Sequence, residues 1–351
     1  MKFFLYKLSN IFEILYFFLL KITTIKRKEE NYYNFFYDFN FVNANYDFIV
    51  FLIAAAIKSK NKPARIYFLF KSKFANARNK EKNIFGEEYQ SIKFKNIILK
   101  LAKTINGFDP EIIILKDRNS AKKVYLLNKF NFPKYNIIKN GFTINPKWVF
   151  YYGTLNRFYR RYNYLPRIVG KKNYDDKIKF DLLRKNINEQ KLITLTLRRG
   201  SYQIERNSNL ESTIKFAYFL KEKGFVVAIL DDYEKILDNL GDIPKEFRIF
   251  DEAVIDLHYR ISLYQTAKLN IIRDGGVPAC MIFSENINYL LFKEVIPIKE
   301  YATDMSIVNN FHKLKLGDQY SFSKKKQKII WKKDTYNNFI EAYNKFNDFF
   351  Y

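Results

Sequence analysis

The stretch LITLTLRRGSYQIERNSNLESTIKFAYFLKEKGFVVAILDD, Leu192 to Asp232, decides the fold of the second half of the chain. It opens with the apolar run Leu192 to Leu197, which predicts a buried strand. A helical pattern follows from Leu210 to Lys223, and Gly224 closes it before the next apolar run, Phe225 to Leu230. Strand, helix and strand in this order predict a βαβ unit with parallel strands.

The same alternation continues downstream of this unit. Further strands are predicted at FRIF (Phe247 to Phe250), NIIRD (Asn270 to Asp274) and YLLF (Tyr289 to Phe292). Helices are predicted at Leu257 to Leu269, at VPACMIF (Val277 to Phe283) and at Thr335 to Phe349. Short connections between these elements predict a doubly wound, Rossmann-like domain.

The first half of the chain predicts a second α/β domain. A buried helix is predicted from Tyr46, a strand at Arg65 to Phe70, a helix at Ile92 to Ile105 and a strand at Glu111 to Leu115. The stretch from Lys134 to Tyr164 is less regular. We therefore divide the chain into an N-terminal segment, residues 1–30, an N-terminal domain, 31–165, and a C-terminal domain, 166–351.

Composition limits the classes of function without deciding among them. The 351 residues carry a formal charge of +25, which indicates either an anionic partner or a compositional bias toward Lys, Asn, Ile, Phe and Tyr. Cys280 is the single cysteine, so no intrachain disulfide forms and a reducing compartment fits. With His258 and His312 as the only histidines, a zinc site built from Cys and His is not expected.

The N-terminal segment is apolar from Phe3 to Leu20. Lys7, Asn10 and Glu13 interrupt it at three-residue steps, which predicts an amphipathic helix lying at a membrane surface rather than a spanning one. The basic run Lys26 to Lys28 would suit the inner, anionic face of a membrane. The alternative is a helix packed on the protein's own surface. In both cases we expect a cytoplasmic protein, peripheral on the inner face of the membrane in the first.

The loop after the first strand of the C-terminal domain is rich in donors for an anion. Arginine forks match phosphate oxygens in pairs, a glycine lets the backbone approach closely, and the next helix aims its positive end at the same place. The candidate binding residues are Arg198, Arg199, Gly200, Tyr202, Arg206, Asn207 and Ser208. The alternative for each residue alone is that the arginines are solvated and that Arg206, Asn207 and Ser208 only cap the following helix.

A second loop, RDGGVP, occupies the equivalent position after the strand NIIRD. Gly275 and Gly276 remove side chains where backbone N–H groups would face a phosphate or sugar. Asp274 either contacts a hydroxyl or caps the following helix. The pair Asp231 and Asp232 lacks the pattern of a metal-binding DxD motif, so we predict a turn there and no metal site.

Several of these stretches resemble a group of bacterial glycosyltransferases with the GT-B fold. The resemblance rests on TLRRGSY, ERNSN, KEKGF, VVAILDD, YRISLYQTAKLNIIRDGG, QKIIWKKDTYNNFIEAYNKF and the N-terminal NANYDF. The group's expected motifs fall on Arg198, Arg206 to Ser208, Arg260 to Asn270 and Trp331 to Thr335. The chain departs from the pattern at Arg199, where the group has an acidic residue. A more distant similarity is to fucosyltransferases, in which an arginine after a strand grips the diphosphate.

The resemblance implies two Rossmann-like domains facing a cleft, with the C-terminal helix packing back toward the N-terminal domain. It implies a nucleotide-sugar donor, a glycan or lipid-linked acceptor of the kind used in surface polysaccharide biosynthesis, and no cofactor beyond that donor. Because positive groups can take the leaving group's charge, we expect metal-independent transfer. Asp47 is the candidate base, although a place at a helix N-terminus explains it equally well.

A function of a different class stays open at this point. The charge of +25 and 19% aromatic residues would also suit a noncatalytic protein that binds RNA or an anionic membrane. No stretch resembles an RNA-recognition motif, and the positive charge is dispersed rather than striped. We therefore expect no nucleic-acid partner, with peripheral membrane contact as a separate possibility.

Overall fold

The structure is a computed structural model that describes residues 32–39, 44–60, 62–69, 92–127, 132, 136–137, 144–145, 152–200, 203–231, 242–298 and 304–347. The contacts within the chain divide it into two compact units, and the domain boundaries expected from the sequence stay a prediction. The first unit takes its members from Met1–Asn43, Lys58–Arg78 and Asp109–Pro146. The second takes them from Ala44–Ile57, Asn79–Phe108 and Lys147–Tyr351. The predicted N-terminal helix lies outside the described residues.

The first unit contains a parallel three-stranded sheet in the order β1-β2-β3. Its strands are β1 (Tyr33–Asp38), β2 (Ala64–Leu69) and β3 (Glu111–Leu115), and helix α2 (Arg118–Leu127) follows β3. The short strands β4 (Asn136–Ile137) and β5 (Ile144–Asn145) pair antiparallel. Aromatic side chains dominate its packing, as in the stacked pair Phe36 and Phe132, with ring centroids 4.6 Å apart.

The second unit contains a parallel five-stranded sheet in the order β10-β9-β8-β6-β7. Its strands are β6 (Leu192–Thr196), β7 (Val226–Leu230), β8 (Leu269–Arg273), β9 (Tyr289–Phe292) and β10 (Gln327–Ile330). Four of the apolar runs predicted as strands are confirmed. The runs that begin at Leu192, Phe225, Asn270 and Tyr289 form β6, β7, β8 and β9. The coarser prediction of a mixed α/β protein with parallel sheets is therefore confirmed, whereas the cleft stays a prediction.

Helices connect these strands. They are α1 (Phe48–Ser59), α3 (Tyr152–Tyr162), α4 (Lys172–Arg184), α5 (Leu210–Glu222), α6 (Glu252–Ile255), α7 (Leu257–Thr266), α8 (Pro278–Ile282) and α9 (Tyr336–Asn347). Shorter helical turns lie at Phe94–Ile98, Leu99–Leu101, Glu189–Lys191, Ile204–Arg206, Lys245–Phe247, Met305–Ile307 and Val308–His312. Among the described residues, no helix is long and apolar enough to cross a membrane.

Helix α9 packs onto the core of the second unit. The Phe339 ring lies 5.0 Å from Phe216 of α5 and 4.7 Å from Phe292 of β9. Ala342 and Tyr343 lie on the same helical face and join the same cluster, in which burial of the Phe339 side chain contributes about 1.5–3 kcal/mol. These contacts lie within the second unit, and packing of this helix toward the N-terminal domain stays a prediction.

One predicted strand is wrong. FRIF forms the 3₁₀ turn Lys245–Phe247 and a following turn, not a strand. The buried residues there are Ile243, Phe247 and Phe250, and steps of four and three residues are the period of a helix. The fifth strand of the sheet is instead β10. The lysines in and around it interrupt the apolar run, so the hydrophobic pattern does not predict a strand there.

Candidate functional site

The chain changes direction across the second sheet between β6 and β8. From β6 it passes to β7 on one side, and it then returns to place β8 on the other side of β6. The order is that of a flavodoxin-like sheet, in which the loops after the first and third strands part at the switch point. Ligands of such sheets bind outside the carboxyl ends of the strands at this place. The two loops concerned are those predicted as anion sites.

The loop after β6 is closed by hydrogen bonds within itself. The Arg198 N–H donates to Ser208 Oγ at 2.8 Å, and the Ser208 N–H donates to the Arg198 carbonyl at 2.8 Å. Arg198 Nη1 donates to the Gln203 carbonyl at 3.0 Å and to Asn207 Oδ1 at 2.5 Å. Asn207 Nδ2 donates to the Gly200 carbonyl at 2.9 Å. The loop is therefore preorganised, and Asn207 and Ser208 shape it.

Arg206 and Asp274 join the two loops. Arg206 Nη2 lies 3.4 Å from Asp274 Oδ2, and the buried Lys293 donates to the same oxygen at 2.7 Å. Burial acts to raise the pKa of Asp274, but Lys293 and Arg206 outweigh it and lower the pKa to about 2. Arg206 Nη1 donates to Gln203 Oε1 at 2.5 Å, while its buried Nε has no hydrogen-bond partner among the described residues.

The glycine turn after β8 lies against both the first loop and the start of α1. A Cβ atom on Gly275 would lie 3.2 Å from Arg198 Cδ, and one on Gly276 would lie 2.9 Å from Tyr46 Cδ2. Close approach therefore requires a glycine at position 276, whereas at position 275 the end of a flexible arginine could give way. Helix α8 begins after Val277 without a side-chain cap, so Asp274 does not cap it.

Asp47 stands at the start of α1, within electrostatic reach of this cluster. Its N–H donates to Asn45 Oδ1 at 3.0 Å, and Asn45 Nδ2 donates to Asp47 Oδ2 at 3.2 Å. Loss of water raises the pKa of Asp47, and Asn45 and Arg206 offset this in part, whereas Asp274 adds to it. The side chain is nevertheless exposed by its surface area. The Asp47 carboxyl is thus reachable from solvent, although nearby protein atoms displace part of its water.

Aromatic and basic residues that the sequence analysis missed complete the cluster. The Tyr152 ring lies 4.5 Å from the His312 ring, and His312 Nδ1 lies 2.5 Å from the Tyr320 hydroxyl. Burial, followed by the charge of Lys293, lowers the pKa of His312 to about 3, so the ring is neutral near pH 7. Burial and the Asp47 and Asp274 carboxylates raise the pKa of Tyr152 well above its usual range. Lys293 could have been found as a charge directly after a buried strand.

Arg199 lies among acidic partners away from this cluster's contacts. Its Nε lies 3.0 Å from Asp231 Oδ1 at the end of β7, and its Nη1 lies 3.2 Å from Asp242 Oδ2. Two carboxylates therefore take its charge, and its role in ligand binding stays a prediction. Tyr202 and Asp232 lie outside the described residues.

Several motif residues hold the loops rather than face a ligand. Arg273 Nε donates to the Arg206 carbonyl at 3.3 Å, and Arg273 Nη1 lies 3.1 Å from Asp334 Oδ1. Asp334 Oδ2 accepts the Asn209 N–H at 2.9 Å, while Asn209 caps α5 by accepting from Ser212. Burial raises the pKa of Asp334, and Arg273 acts against it. The Trp331-to-Thr335 motif thus has a structural role, because its Asp334 holds Arg273 and the start of α5 in place.

The comparisons with known proteins assign no family. No family model matches the chain, and no curated protein matches it. Among solved structures, the chain is similar to the crystal structure of a glycosyl transferase family 9 protein from Veillonella parvula DSM 2008. The TM-score is 0.43 at 10% sequence identity, over 92% of this chain and 90% of that chain. A score this low gives the chain neither a family nor a function.

Proposed function

We propose that the protein is a glycosyltransferase that moves a sugar from a nucleotide-diphosphate donor to a hydroxyl group of an acceptor. The observation that carries the proposal is the convergence of Arg198, Arg206 and the Gly275-Gly276 turn at the switch point. The donor's diphosphate lies there, outside the carboxyl ends of β6 and β8.

The charge balance of the cluster supports an anionic ligand. Arg198, Arg206 and Lys293 bring three positive charges, and Asp274 brings one firm negative charge. Asp47 brings a second carboxyl, but its raised pKa means that it is protonated more easily than Asp274. Three cationic side chains therefore converge in surroundings where protein atoms displace water and electrostatic attraction is stronger than in bulk.

The reaction needs one base and a place for the leaving group's charge. Asp47 takes the proton of the acceptor hydroxyl, whose oxygen attacks the anomeric carbon of the donor sugar. The bond from that carbon to the diphosphate oxygen breaks, and the electron pair leaves with the nucleoside diphosphate. Arg198 and Arg206 neutralise it, so the proposed transfer uses no metal. The acceptor is a surface glycan or a lipid-linked sugar.

The decisive experiment separates donor binding from turnover. Calorimetry with a panel of nucleoside diphosphates and nucleotide-sugars should give binding to the wild-type chain, and release of nucleoside diphosphate should follow with the right pair of substrates. Arg198→Ala and Arg206→Ala should weaken binding, whereas Arg199→Ala is the matched control with the same loss of charge. A folded wild-type chain that binds no member of the panel would refute the proposal.

The same material tests the noncatalytic alternative. Nucleic-acid binding through phosphate contacts loses affinity steeply as salt rises, with a slope set by the number of contacts. A steep slope for an RNA oligonucleotide, unchanged by added nucleoside diphosphate, would favour a nucleic-acid-binding protein instead. The proposal expects that nucleoside diphosphate binds in the absence of any RNA.

A further inference from the structure

Helix α3 and the turn after it carry an unusual concentration of positive charge. Between Tyr152 and Tyr174 the chain has six basic residues and no acidic residue. Arg157, Arg160 and Arg161 are exposed and follow the i, i+3, i+4 spacing that places side chains on one side of a helix. None of the three has a hydrogen bond or an ion pair with any described residue. The part of the chain that is described thus leaves three guanidinium groups uncompensated.

The arginine nearby in sequence behaves differently. Arg167 is buried, donates through Nη2 to the Phe322 carbonyl at 3.0 Å and lies 3.7 Å from Glu285 Oε1. Arg167 therefore has a structural role, which the exposed arginines of α3 lack. The helix dipole favours cations in the last turn, which accounts for Arg160 and Arg161 in part. It does not account for Arg157.

Exposed tyrosines stand directly beside these arginines. Tyr162 is 55% exposed and Tyr164 is 59% exposed, at the point where Asn163 ends the helix with a φ of 47°. The Arg161 guanidinium lies 5.3 Å from the Tyr162 ring centroid. Tyrosine has an apolar ring and a polar hydroxyl, which suits the headgroup region of a bilayer, and arginine suits lipid phosphates. We call Arg157, Arg160, Arg161, Tyr162 and Tyr164 the α3 surface.

We propose that the α3 surface docks onto an anionic lipid bilayer. Tyr152 at the other end of α3 belongs to the candidate site, where its ring packs on His312 and its ionisation responds to Asp47. At a rise of 1.5 Å per residue, Arg161 lies about 14 Å along the helix from Tyr152. The helix therefore sets the site about one helix length from the lipid headgroups. This step rests on the proposed function. A site held at this distance from the headgroups favours a lipid-linked acceptor over a soluble one.

Lipid is favoured over nucleic acid by the form of the surface. Proteins that hold single-stranded nucleic acid use a groove that tracks several phosphates, whereas these charges lie along one side of a single short helix. Each basic residue near an anionic bilayer strengthens binding about fivefold, so three arginines give roughly 100-fold. One weak attachment needs a second, and the apolar N-terminal segment predicted from the sequence would supply it.

Vesicle cosedimentation of the full chain tests the docking. The probes are vesicles of phosphatidylcholine alone and of phosphatidylcholine with phosphatidylglycerol. The triple change Arg157→Gln, Arg160→Gln and Arg161→Gln should weaken binding to the anionic vesicles roughly 100-fold. The control triple, Lys324→Gln, Lys325→Gln and Lys326→Gln, removes the same charge from exposed positions and should change binding only a few-fold. Equal effects of both triples, or no effect of the first, would overturn the docking.

A second measurement does not depend on the triple variant being folded. Cys280 is fully buried, so Tyr162→Cys gives the one accessible thiol in the described residues for an environment-sensitive fluorophore. Its emission should shift to the blue with anionic vesicles, while a label at Lys325→Cys should not shift. No shift at the first position, or a shift with an RNA oligonucleotide and not with vesicles, would reject a lipid partner. Nucleoside-diphosphate binding in the absence of vesicles reports separately on the proposed function.

Discussion

Two parts of the same edge of the second sheet use arginine in opposite ways. At the end of β7, Arg199 faces Asp231 and Asp242, and the buried Arg260 donates to the Asp231 carbonyl at 2.9 Å. At the switch point, between β6 and β8, the cations exceed the firm negative charges, and an exposed carboxyl lies within electrostatic reach. The first part is a closed structural network, whereas the second gathers the cations for which we propose an anionic ligand.

The neighbours Arg198 and Arg199 show what separates the two. Consecutive residues of an extended chain point to opposite sides, so one arginine reaches the loop of Asn207 and the other reaches the carboxylates beyond β7. Donor-rich sequence therefore does not identify a binding residue by itself. The partner on the neighbouring strand decides whether a cation is available.

The largest expected effect compares the carboxyl group of Asp47, near the switch point, with that of Asp231 at the end of β7. Asp47→Asn should slow nucleoside-diphosphate release by about 10²–10⁴-fold, because it removes the proposed base. Since the pKa of Asp47 is raised above 3.8, wild-type kcat/KM should rise with pH through a value above 3.8, and the variant should lose that limb. Asp231→Asn should instead lower thermal stability and keep the profile. A full acidic limb in Asp47→Asn would exclude Asp47 as the base.

The next largest effect compares Arg206 at the switch point with Arg199 at the end of β7. Arg206→Gln should lower kcat/KM by about 10²–10³-fold, since it removes a donor that we propose faces the leaving group's charge. Arg199→Gln should affect the melting temperature more than the rate, because its charge is already taken by Asp231 and Asp242. If both variants lose activity equally while remaining folded, the distinction between the two parts of the edge fails.

A smaller effect concerns the pH dependence of stability. The pKa of Asp274 is lowered from 3.8 to about 2, so its ion pairs stabilise the fold above about pH 4 and this stability is lost as pH falls toward 2. The difference is worth about 2 kcal/mol. Asp274→Asn should flatten the unfolding free energy over that range in urea titrations. The exposed Asp242→Asn should change the free energy by less than about 0.5 kcal/mol and serves as the control.

The smallest expected effect compares the two glycines. Gly276→Ala places a Cβ 2.9 Å from the Tyr46 ring, next to Asp47, and should reduce kcat/KM roughly tenfold by displacing that turn. Gly275→Ala meets Arg198 Cδ at 3.2 Å, which a flexible side chain can relieve, so its effect should be smaller. A larger loss for Gly275→Ala would mean that the position of Arg198 limits the reaction more than that of Asp47.

Sequence alone predicts the parts of the fold with strong apolar runs. Strands β6 to β9 and helix α5 are buried on the faces that the patterns indicate, and the two loops of the switch point follow from their order. The sequence does not reveal β1 or β10. Strand β10 has only four residues between lysine-rich flanks, and FRIF imitates a strand while its buried positions follow a helical period.

The candidate site is only half predictable for a related reason. Arg198, Arg206 and the two glycines lie in loops that follow strands, and ligands of open parallel sheets bind at such loops. Their position in the sequence is therefore enough to make them candidates. Tyr152, His312 and Tyr320 come from segments without such a marker, and only tertiary packing brings them together. The acidic neighbours of Arg199 could not be assigned in advance, because pairing between strand ends depends on the rotation of each side chain.

The hydrogen bond from the Asn209 N–H to Asp334 spans 125 positions of the chain. The first loop of the switch point is thus fastened by a carboxylate that the ribosome adds far later than the loop itself. A nascent chain that already contains β6 to β9 still lacks this fastening. Binding of the proposed donor should therefore arise late in synthesis, and shortened chains ending before Asp334 should not bind it.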